Sequence, residues 1–145
     1  MKISNKLLSI SCISALTSVS TFANETNITN YNTEVNYYNV AVNFVFGTAF
    51  LANVCLNNDC NSAQGAFTQK VLSAKKGDSI CVSVIGGINH GGIIRSNYKF
   101  VKLDNEPSEI NFWGTFMNPK FNFSSETLSY AMNNVTWGKG PCDFN

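Results

Sequence analysis

The stretch from Lys75 to Gly87 constrains the fold most, because it has the pattern of one internal β-strand with turn residues at both ends. A polar Lys-Lys-Gly-Asp turn precedes the strand, and two glycines follow it. Apolar residues fall on both of its faces, with Ile80, Val82 and Val84 on one side and Cys81 and Ile85 on the other. Few polar side chains remain to meet water, so the pattern predicts a central strand that ends at Gly86.

Further stretches alternate in the same way and are separated by turn residues. They cover residues 35–46, 48–55, 67–72, 97–103, 109–117, 121–123 and 128–132. Gly47 is predicted to separate the first stretch from the second. Phe46 is predicted to lie on the same buried face as Val42 and Phe44. The last stretch also fits a short helix capped by residues 125–127, although its alternation favours a strand.

About eight short strands, without a convincing long helix or an internal repeat, indicate an all-β domain. We predict a two-sheet antiparallel sandwich. A small closed β-barrel is the alternative, because it gives the same strand signal. The Gly77-Asp78 turn followed by alternating Ile and Val is common in immunoglobulin-like modules, so an immunoglobulin-like sandwich is one form that this prediction includes.

The N-terminus has the features of an export signal. Lys2 and Lys6 precede a moderately apolar run, and Thr21-Phe22-Ala23 places small residues at the −3 and −1 positions of a cleavage site. The run is too short and too rich in Ser and Thr for a membrane span. Cys12 offers a lipoprotein alternative, but Ser9-Ile10-Ser11 is a poor approach to it. We therefore predict a signal peptide over residues 1–23, a lead-in over 24–34 and a single β domain over 35–145.

Cleavage after Ala23 leaves eight basic and nine acidic residues, so the exported chain has almost no net charge. Nucleic-acid binding through a basic face is therefore not expected, and neither is adhesion to an anionic membrane by charge. The sequence uses many asparagines and few charges, which suits sugar or protein recognition and also fits a bias in genome base composition. We expect a secreted or periplasmic protein.

Four cysteines remain after the signal peptide, namely Cys55, Cys60, Cys81 and Cys142. An even number in a small exported domain predicts two disulfides. Cys55 and Cys60 enclose a turn-like Leu-Asn-Asn-Asp, so we predict that these two pair and that Cys81 pairs with Cys142. Paired CxxC motifs are absent from the sequence, so neither a metal site nor another cofactor is expected.

Catalytic motifs are also missing from the sequence. His90 is the only histidine, no GxSxG motif occurs, and the carboxylates fall mostly in predicted turns, where they form caps and turns. We therefore predict that the protein is not an enzyme.

Two stretches contain residue types that folding alone does not require. Trp113 shares a strand face with Asn111, and an exposed tryptophan beside amides stacks on sugar rings or anchors protein interfaces; the alternative is partial burial under a neighbouring loop. Asn89 and His90 lie among four glycines in a predicted loose loop, Gly86–Gly92, whose backbone can approach a ligand closely; the alternative is an ordinary loop histidine.

These features predict a secreted, lectin-like binding module without enzymatic activity, whose ligand is a glycan or a protein. The alternative is a small inhibitor of an extracellular or periplasmic enzyme, with the Gly86–Gly92 loop inserted into an active-site cleft.

Overall fold

Nine β-strands in two facing sheets form the part of the chain that the computed structural model describes, residues 34–124 and 126–143. The strands are β1 (Tyr38–Ala49), β2 (Leu51–Leu56), β3 (Asp59–Cys60), β4 (Thr68–Ala74), β5 (Ser79–Asn89), β6 (Gly92–Lys102), β7 (Ser108–Thr115), β8 (Asn118–Phe123) and β9 (Leu128–Trp137). One sheet has the strand order β4-β1-β7-β8, and the other has the order β3-β2-β5-β6-β9. The predicted all-β sandwich is confirmed, and the sheets do not close into a barrel.

The four-stranded sheet is mixed, not antiparallel as predicted. Strand β1 pairs with β7 in parallel, from Val40 opposite Ser108 to Phe44 opposite Phe112, whereas the β1–β4 and β7–β8 pairs are antiparallel. The five-stranded sheet is antiparallel throughout. Alternation along a strand sets which side chains are buried but not the direction of the partner strand, so the sequence pattern did not contain this pairing.

Strand β5 is the central strand of the five-stranded sheet, as predicted, and lies between β2 and β6. Its predicted end at Gly86 is wrong, because β5 continues to Asn89 through a register irregularity between Ile85 and Gly87. Gly86 is needed for close packing: a Cβ atom there would lie 2.4 Å from the ring of Phe116. The absence of a side chain at Gly86 therefore lets the β7–β8 turn pack against β5, and the glycine does not end the strand.

Gly47 likewise bends β1 without breaking it. The register with β7 shifts between Phe44 and Thr48, and Gly47 has φ of 89°, which glycine adopts without strain. The Oγ1 atom of Thr48 holds the bulge, lying 2.8 Å from the carbonyl oxygen of Val45 and 2.9 Å from that of Phe112. Residues 45–47 within the bulge are exposed, so Phe46 is not buried with Phe44 as predicted, whereas Thr48 beyond the bulge is buried again.

Other strand limits also differ from the prediction. Strand β1 begins at Tyr38, not at residue 35, and β6 begins at Gly92, not at residue 97. Strand β8 includes Pro119, although residues 118–120 lie between two predicted strands, in a predicted turn. Strand β8 is an edge strand, so the missing N–H group of proline is tolerated. Residues 128–137 form a strand, so the favoured prediction for this stretch is confirmed over the short helix.

Aromatic rings fill the space between the sheets. Phe44 stacks on Phe112 at 5.8 Å between ring centroids, and Phe100 from the facing sheet packs edge-on to Phe112 at 6.0 Å. The cluster continues to the edge strands through Phe121 and Tyr130, whose centroids are 5.1 Å apart. Around these rings lie buried aliphatic residues that include Val40, Val42, Val54, Ile80, Val82, Val84 and Ile110.

Both predicted disulfides are confirmed. Cys55 and Cys60 lie opposite each other in the β2–β3 pair, and Cys81 joins Cys142, 61 residues later, so that the C-terminal segment is tied to the central strand. Two disulfides are typical of an oxidising, extracellular environment.

The predicted signal peptide, Cys12, most of the lead-in and Ser125 of the alternative helix cap lie outside the described residues. Within the described part of the chain, no helix has the length and apolar character that crossing a membrane requires.

Candidate functional site

The outer face of the four-stranded sheet carries Asn111 and Trp113, two of the predicted binding residues. On β7, Ile110 and Phe112 point into the core and are buried, so the alternate residues Glu109, Asn111 and Trp113 point away from the core. The structure thereby places both predicted residues on one surface, two positions apart on the same strand.

Asn111 belongs to a row of amide side chains that crosses all four strands of this sheet. Asn43 on β1 pairs with Gln69 on β4 and with Asn111 on β7, and Asn111 pairs with Asn122 on β8. Nε2 of Gln69 donates to Oδ1 of Asn43 at 2.7 Å, and Nδ2 of Asn43 donates to Oδ1 of Asn111 at 2.8 Å. Each amide has two N–H donors and two acceptor lone pairs, so the row retains capacity for a ligand.

Trp113 is half-buried. Its burial is therefore closer to the alternative, partial burial, than to full exposure. Lys120 lies opposite it on β8, and on the other side β1 bulges between Phe44 and Thr48. The bulge thus flanks the indole, which retains part of its surface at the edge of the amide row. Partial burial fixes the ring, and a fixed aromatic ring loses little entropy when it stacks on a ligand.

A surface pocket of about 410 Å³ lies on the same sheet, on the side of the amide row away from Trp113. Its lining includes Ala41, Val71 and Glu109, which occupy the strand positions two residues from Asn43, Gln69 and Asn111. The outer face of this sheet therefore presents, in order along the strands, an indole, a row of amides and a pocket with a carboxylate. We call this surface the amide face.

His90 and Asn89 lie elsewhere, at the tip of the β5–β6 hairpin. The predicted Gly86–Gly92 loop is wrong in its extent, since Asn89 pairs with Gly92 and leaves only His90 and Gly91 in the turn. His90 is exposed. Because the hairpin belongs to the five-stranded sheet, the structure does not place these two residues on the amide face.

Buried polar groups form a further cluster on the outer side of the five-stranded sheet. Arg95 is buried and its Nη1 donates to Oδ1 of Asn53 at 2.8 Å. Burial lowers the pKa of the Arg95 guanidinium. Nε of Arg95, Oγ of Ser83 and Oδ1 of Asn97 find no hydrogen-bond partner in the described part of the chain. These atoms are covered, so the cluster offers no accessible site as it stands.

A serine and a lysine also lie together, but their arrangement does not suit catalysis. Nζ of Lys102 is 3.1 Å from Oγ of Ser108, and both residues are buried. The ammonium also lies 3.4 Å from the carboxylate of Asp104 and contacts the carbonyl oxygen of Glu106. A substrate has to reach a serine nucleophile, and Ser108 is buried with its Oγ in contact with Lys102 and Thr127.

Three cysteine sulfurs, those of Cys55, Cys60 and Cys142, lie within 4.8 Å of one another. Each is part of a disulfide and is therefore not a thiolate, the form in which cysteine binds metal.

Three residues of the amide face were not predicted from the sequence, namely Asn43, Gln69 and Asn122. The sequence contained part of the pattern, since Asn43 occupies a polar position between apolar residues of its strand, as Asn111 does. The parallel β1–β7 pairing that aligns these two residues was not predictable from spacing. The chain matches no family model, no curated protein and no solved structure.

Proposed function

We propose that the protein is a secreted or periplasmic binding domain without enzymatic activity that holds a glycan on the amide face. The observation that carries the proposal is the alignment of Trp113, the amide row and the pocket beside Glu109 on one sheet. Sugars present hydroxyl groups that both donate and accept hydrogen bonds, together with apolar ring faces. Amides supply both kinds of partner, and an indole supplies the stacking surface.

The dimensions of the amide face favour a short oligosaccharide. Glu109 and Trp113 are four residues apart on a strand that rises about 3.3 Å per residue, so the surface is about 13 Å long. Lys120, opposite Trp113, and Glu109 place one charge of each sign near the two ends, which suits a neutral ligand better than a highly charged one.

A glycan array with the purified protein tests this proposal. We expect binding to a defined set of glycans that is lost in Trp113→Ala and in Asn111→Ala. Matched controls come from the other sheet: Trp137→Ala removes an exposed indole, and Asn133→Ala removes an exposed amide, so both should bind as the wild type does. A blank array, or equal loss in the control variants, contradicts the proposal.

The inhibitor alternative has one structural observation in its favour. Strand β2 pairs with β5 only as far as Ile85, and β9 pairs with β6 only as far as Ile94, so residues 87–93 extend beyond the paired parts of both neighbours as a two-stranded hairpin, with Gly138 hydrogen-bonded to Ile93 at its base. An inhibitor that uses this hairpin would lose its target enzyme when residues 87–93 are replaced by a two-residue turn. The glycan-binding domain would keep its array profile after the same change.

A further inference from the structure

The two ends of the sandwich differ sharply in composition. Five segments meet at one end, which we call the apolar end: residues 45–51 between β1 and β2, 61–67 before β4, 86–93 of the β5–β6 hairpin, 115–118 of the β7–β8 turn and 135–138 at the end of β9. Contacts link neighbouring segments: the N–H of Phe67 donates at 2.7 Å to the carbonyl of Phe44, the residue before 45–51, the N–H of Gly138 donates to that of Ile93 at 3.2 Å, and the ring of Phe116 packs on Gly86.

None of these five segments contains Asp, Glu, Lys or Arg, and the exposed Lys139 is the first charged residue after the last of them. The connections at the opposite end, by contrast, are rich in charge and carry Asp59, Lys75, Lys76, Asp78, Asp104, Glu106 and Glu126. Turns on a protein in water normally carry charged and polar residues, as those at the opposite end do. The complete absence of ionised side chains from five separate segments therefore needs a reason other than turn formation.

Large apolar side chains project from the apolar end. Among the described residues, the four most exposed large hydrophobic side chains are Phe46 (84%), Ile88 (84%), Met117 (80%) and Phe67 (77%), and each comes from a different segment of this end. Phe67 has φ of 61°, an unfavourable conformation for a bulky residue that here holds its ring outward, 6.2 Å from the ring of Phe46. Exposure of this extent marks an interaction site.

We propose that the apolar end inserts into the interface of a lipid bilayer whose headgroups carry no net charge. Side chains that project separately from several loops would each need a matching pocket in a rigid protein partner, whereas a fluid bilayer adapts to them. Moving an ionised group toward hydrocarbon is costly, which accounts for the absence of Asp, Glu, Lys and Arg. Trp137, half-exposed at the same end, is of the residue type that settles at the headgroup level.

This orientation leaves the amide face in water. The strands run between the two ends, so insertion of the apolar end places the sheet faces roughly perpendicular to the bilayer and keeps Asn111 accessible to a ligand. The lipid proposal does not depend on glycan binding, because the two surfaces share none of the residues that carry either argument.

Vesicle flotation tests the proposal. The protein is recovered after export, so that the apolar residues of the predicted signal peptide do not contribute, and is mixed with vesicles of pure phosphatidylcholine. We expect it to float with the vesicles, and to do so equally at low and high salt, because no charge attraction is involved. In a Trp113→Phe background, Trp137 is the remaining tryptophan, and its emission should shift to shorter wavelength when vesicles are added.

A matched pair of double variants identifies the surface. Ile88→Ser with Met117→Ser removes two exposed side chains from the apolar end, and Leu103→Ser with Met132→Ser removes two side chains of similar size that are 43% exposed elsewhere. Each apolar side chain that is buried in the bilayer strengthens partition of the protein onto the vesicles by about tenfold. The Ile88 and Met117 double variant should therefore bind about a hundredfold more weakly than the wild type, and the Leu103 and Met132 double variant should bind within about twofold of it. The single variant Ile88→Ser, at the hairpin tip, should lose about tenfold even where the double variant is poorly folded.

Four results would overturn the proposal. They are no flotation at millimolar phosphatidylcholine, equal binding by the two double variants, no loss of binding in folded Ile88→Ser, and flotation that requires anionic phosphatidylserine and disappears at high salt. The last result would mean that the protein is attracted to lipid by charge, and the first would leave a protein as the occupant of the apolar end.

Discussion

Lys102 and Ser108 join the two sheets through a buried contact, in which Nζ of the lysine lies 3.1 Å from Oγ of the serine. Lys102 ends β6 in the five-stranded sheet, and Ser108 begins β7 in the four-stranded sheet. The same ammonium contacts the carbonyl oxygen of Glu106 and the carboxylate of Asp104, so one side chain organises the whole connection between β6 and β7. Ser108 Oγ also contacts Oγ1 of Thr127, which extends the link to the start of β9.

Removal of this lysine should destabilise the fold. Lys102→Ala should lower the free energy of unfolding by about 3 kcal/mol, because it leaves a cavity and buried oxygen atoms without a donor. Lys102→Met keeps the apolar stem and should lose less. Urea denaturation gives both values, and exposed Lys76→Ala is the control. A Lys102→Ala variant as stable as the control would show that the contact does not support the fold.

Replacement of Ser83 by alanine should affect stability differently from replacement of Ser108, although both serines are buried in strands. Oγ of Ser83 has no hydrogen-bond partner in the described part of the chain, so Ser83→Ala should leave stability unchanged or raise it by up to about 1 kcal/mol. Ser108→Ala should cost about 1–3 kcal/mol, because it removes one buried hydrogen-bond partner of Lys102 and one contact of Thr127.

The valines beside Ser83 supply the comparison within β5. Val82→Ala and Val84→Ala should each cost about 1–3 kcal/mol, since methyl groups are lost from a packed core. Equal losses at residues 82, 83 and 84 in chemical denaturation would mean that the hydroxyl of Ser83 is bonded in solution.

The two disulfides should differ in their contribution to stability. In the chain-entropy model, the 61-residue separation of Cys81 and Cys142 corresponds to about 4 kcal/mol, and the five-residue separation of Cys55 and Cys60 to about 2 kcal/mol. Replacement of each pair by alanines, followed by urea denaturation, should therefore give the larger loss for the 81–142 pair. A larger loss for the 55–60 pair would indicate that strain or local packing outweighs loop closure.

Alkaline pH should weaken the fold through two tyrosines. Burial raises the pKa of Tyr98, and the neighbouring Tyr130 raises it further; burial also raises the pKa of Tyr130. The folded state thus favours the neutral phenols, and this contribution is fully present below the unfolded pKa of about 10 and is lost as the pH rises through the higher folded values. The free energy of unfolding should fall above about pH 10, and less steeply in Tyr98→Phe. Exposed Tyr37→Phe, the control, should follow the wild type.

The parts of this fold that depend on local pattern were predictable from the sequence. Alternation placed β5 correctly, because a strand with two apolar faces must be internal, and the cysteine spacing gave both disulfides. The position of Phe46 was not predictable in this way. The bulge places two extra residues in β1 between Phe44 and Thr48, so Phe46 is exposed, and one of the two hydrogen bonds that Thr48 donates to hold it goes to Phe112, far along the chain.

The amide face shows the same limit. Asn111 and Trp113 were identified because they share a strand, whereas Asn43 and Gln69 join them through pairings between strands that are distant in sequence. The apolar end was missed for a related reason. Its four projecting side chains lie in four segments between residues 46 and 117, and only the topology brings those segments to one end of the sandwich.

Asn43 lies at the middle of the amide row and offers the sharpest test of that row. Its Oδ1 accepts from Gln69 and its Nδ2 donates to Asn111, so it sets the direction in which the amides point. Asn43→Asp keeps the acceptor, removes the donor and places a negative charge against Oδ1 of Asn111, which should turn that amide so that its Nδ2 donates to the carboxylate and its oxygen takes the position that its N–H groups now occupy. We expect the affinity for the glycan identified on the array to fall at least about tenfold, the equivalent of one lost hydrogen bond, with little change in melting temperature.

Asn133→Asp makes the same change of charge at an exposed position on β9 and should bind as the wild type does in isothermal titration calorimetry. Indistinguishable affinities for the two variants would show that the ligand does not touch the amide row.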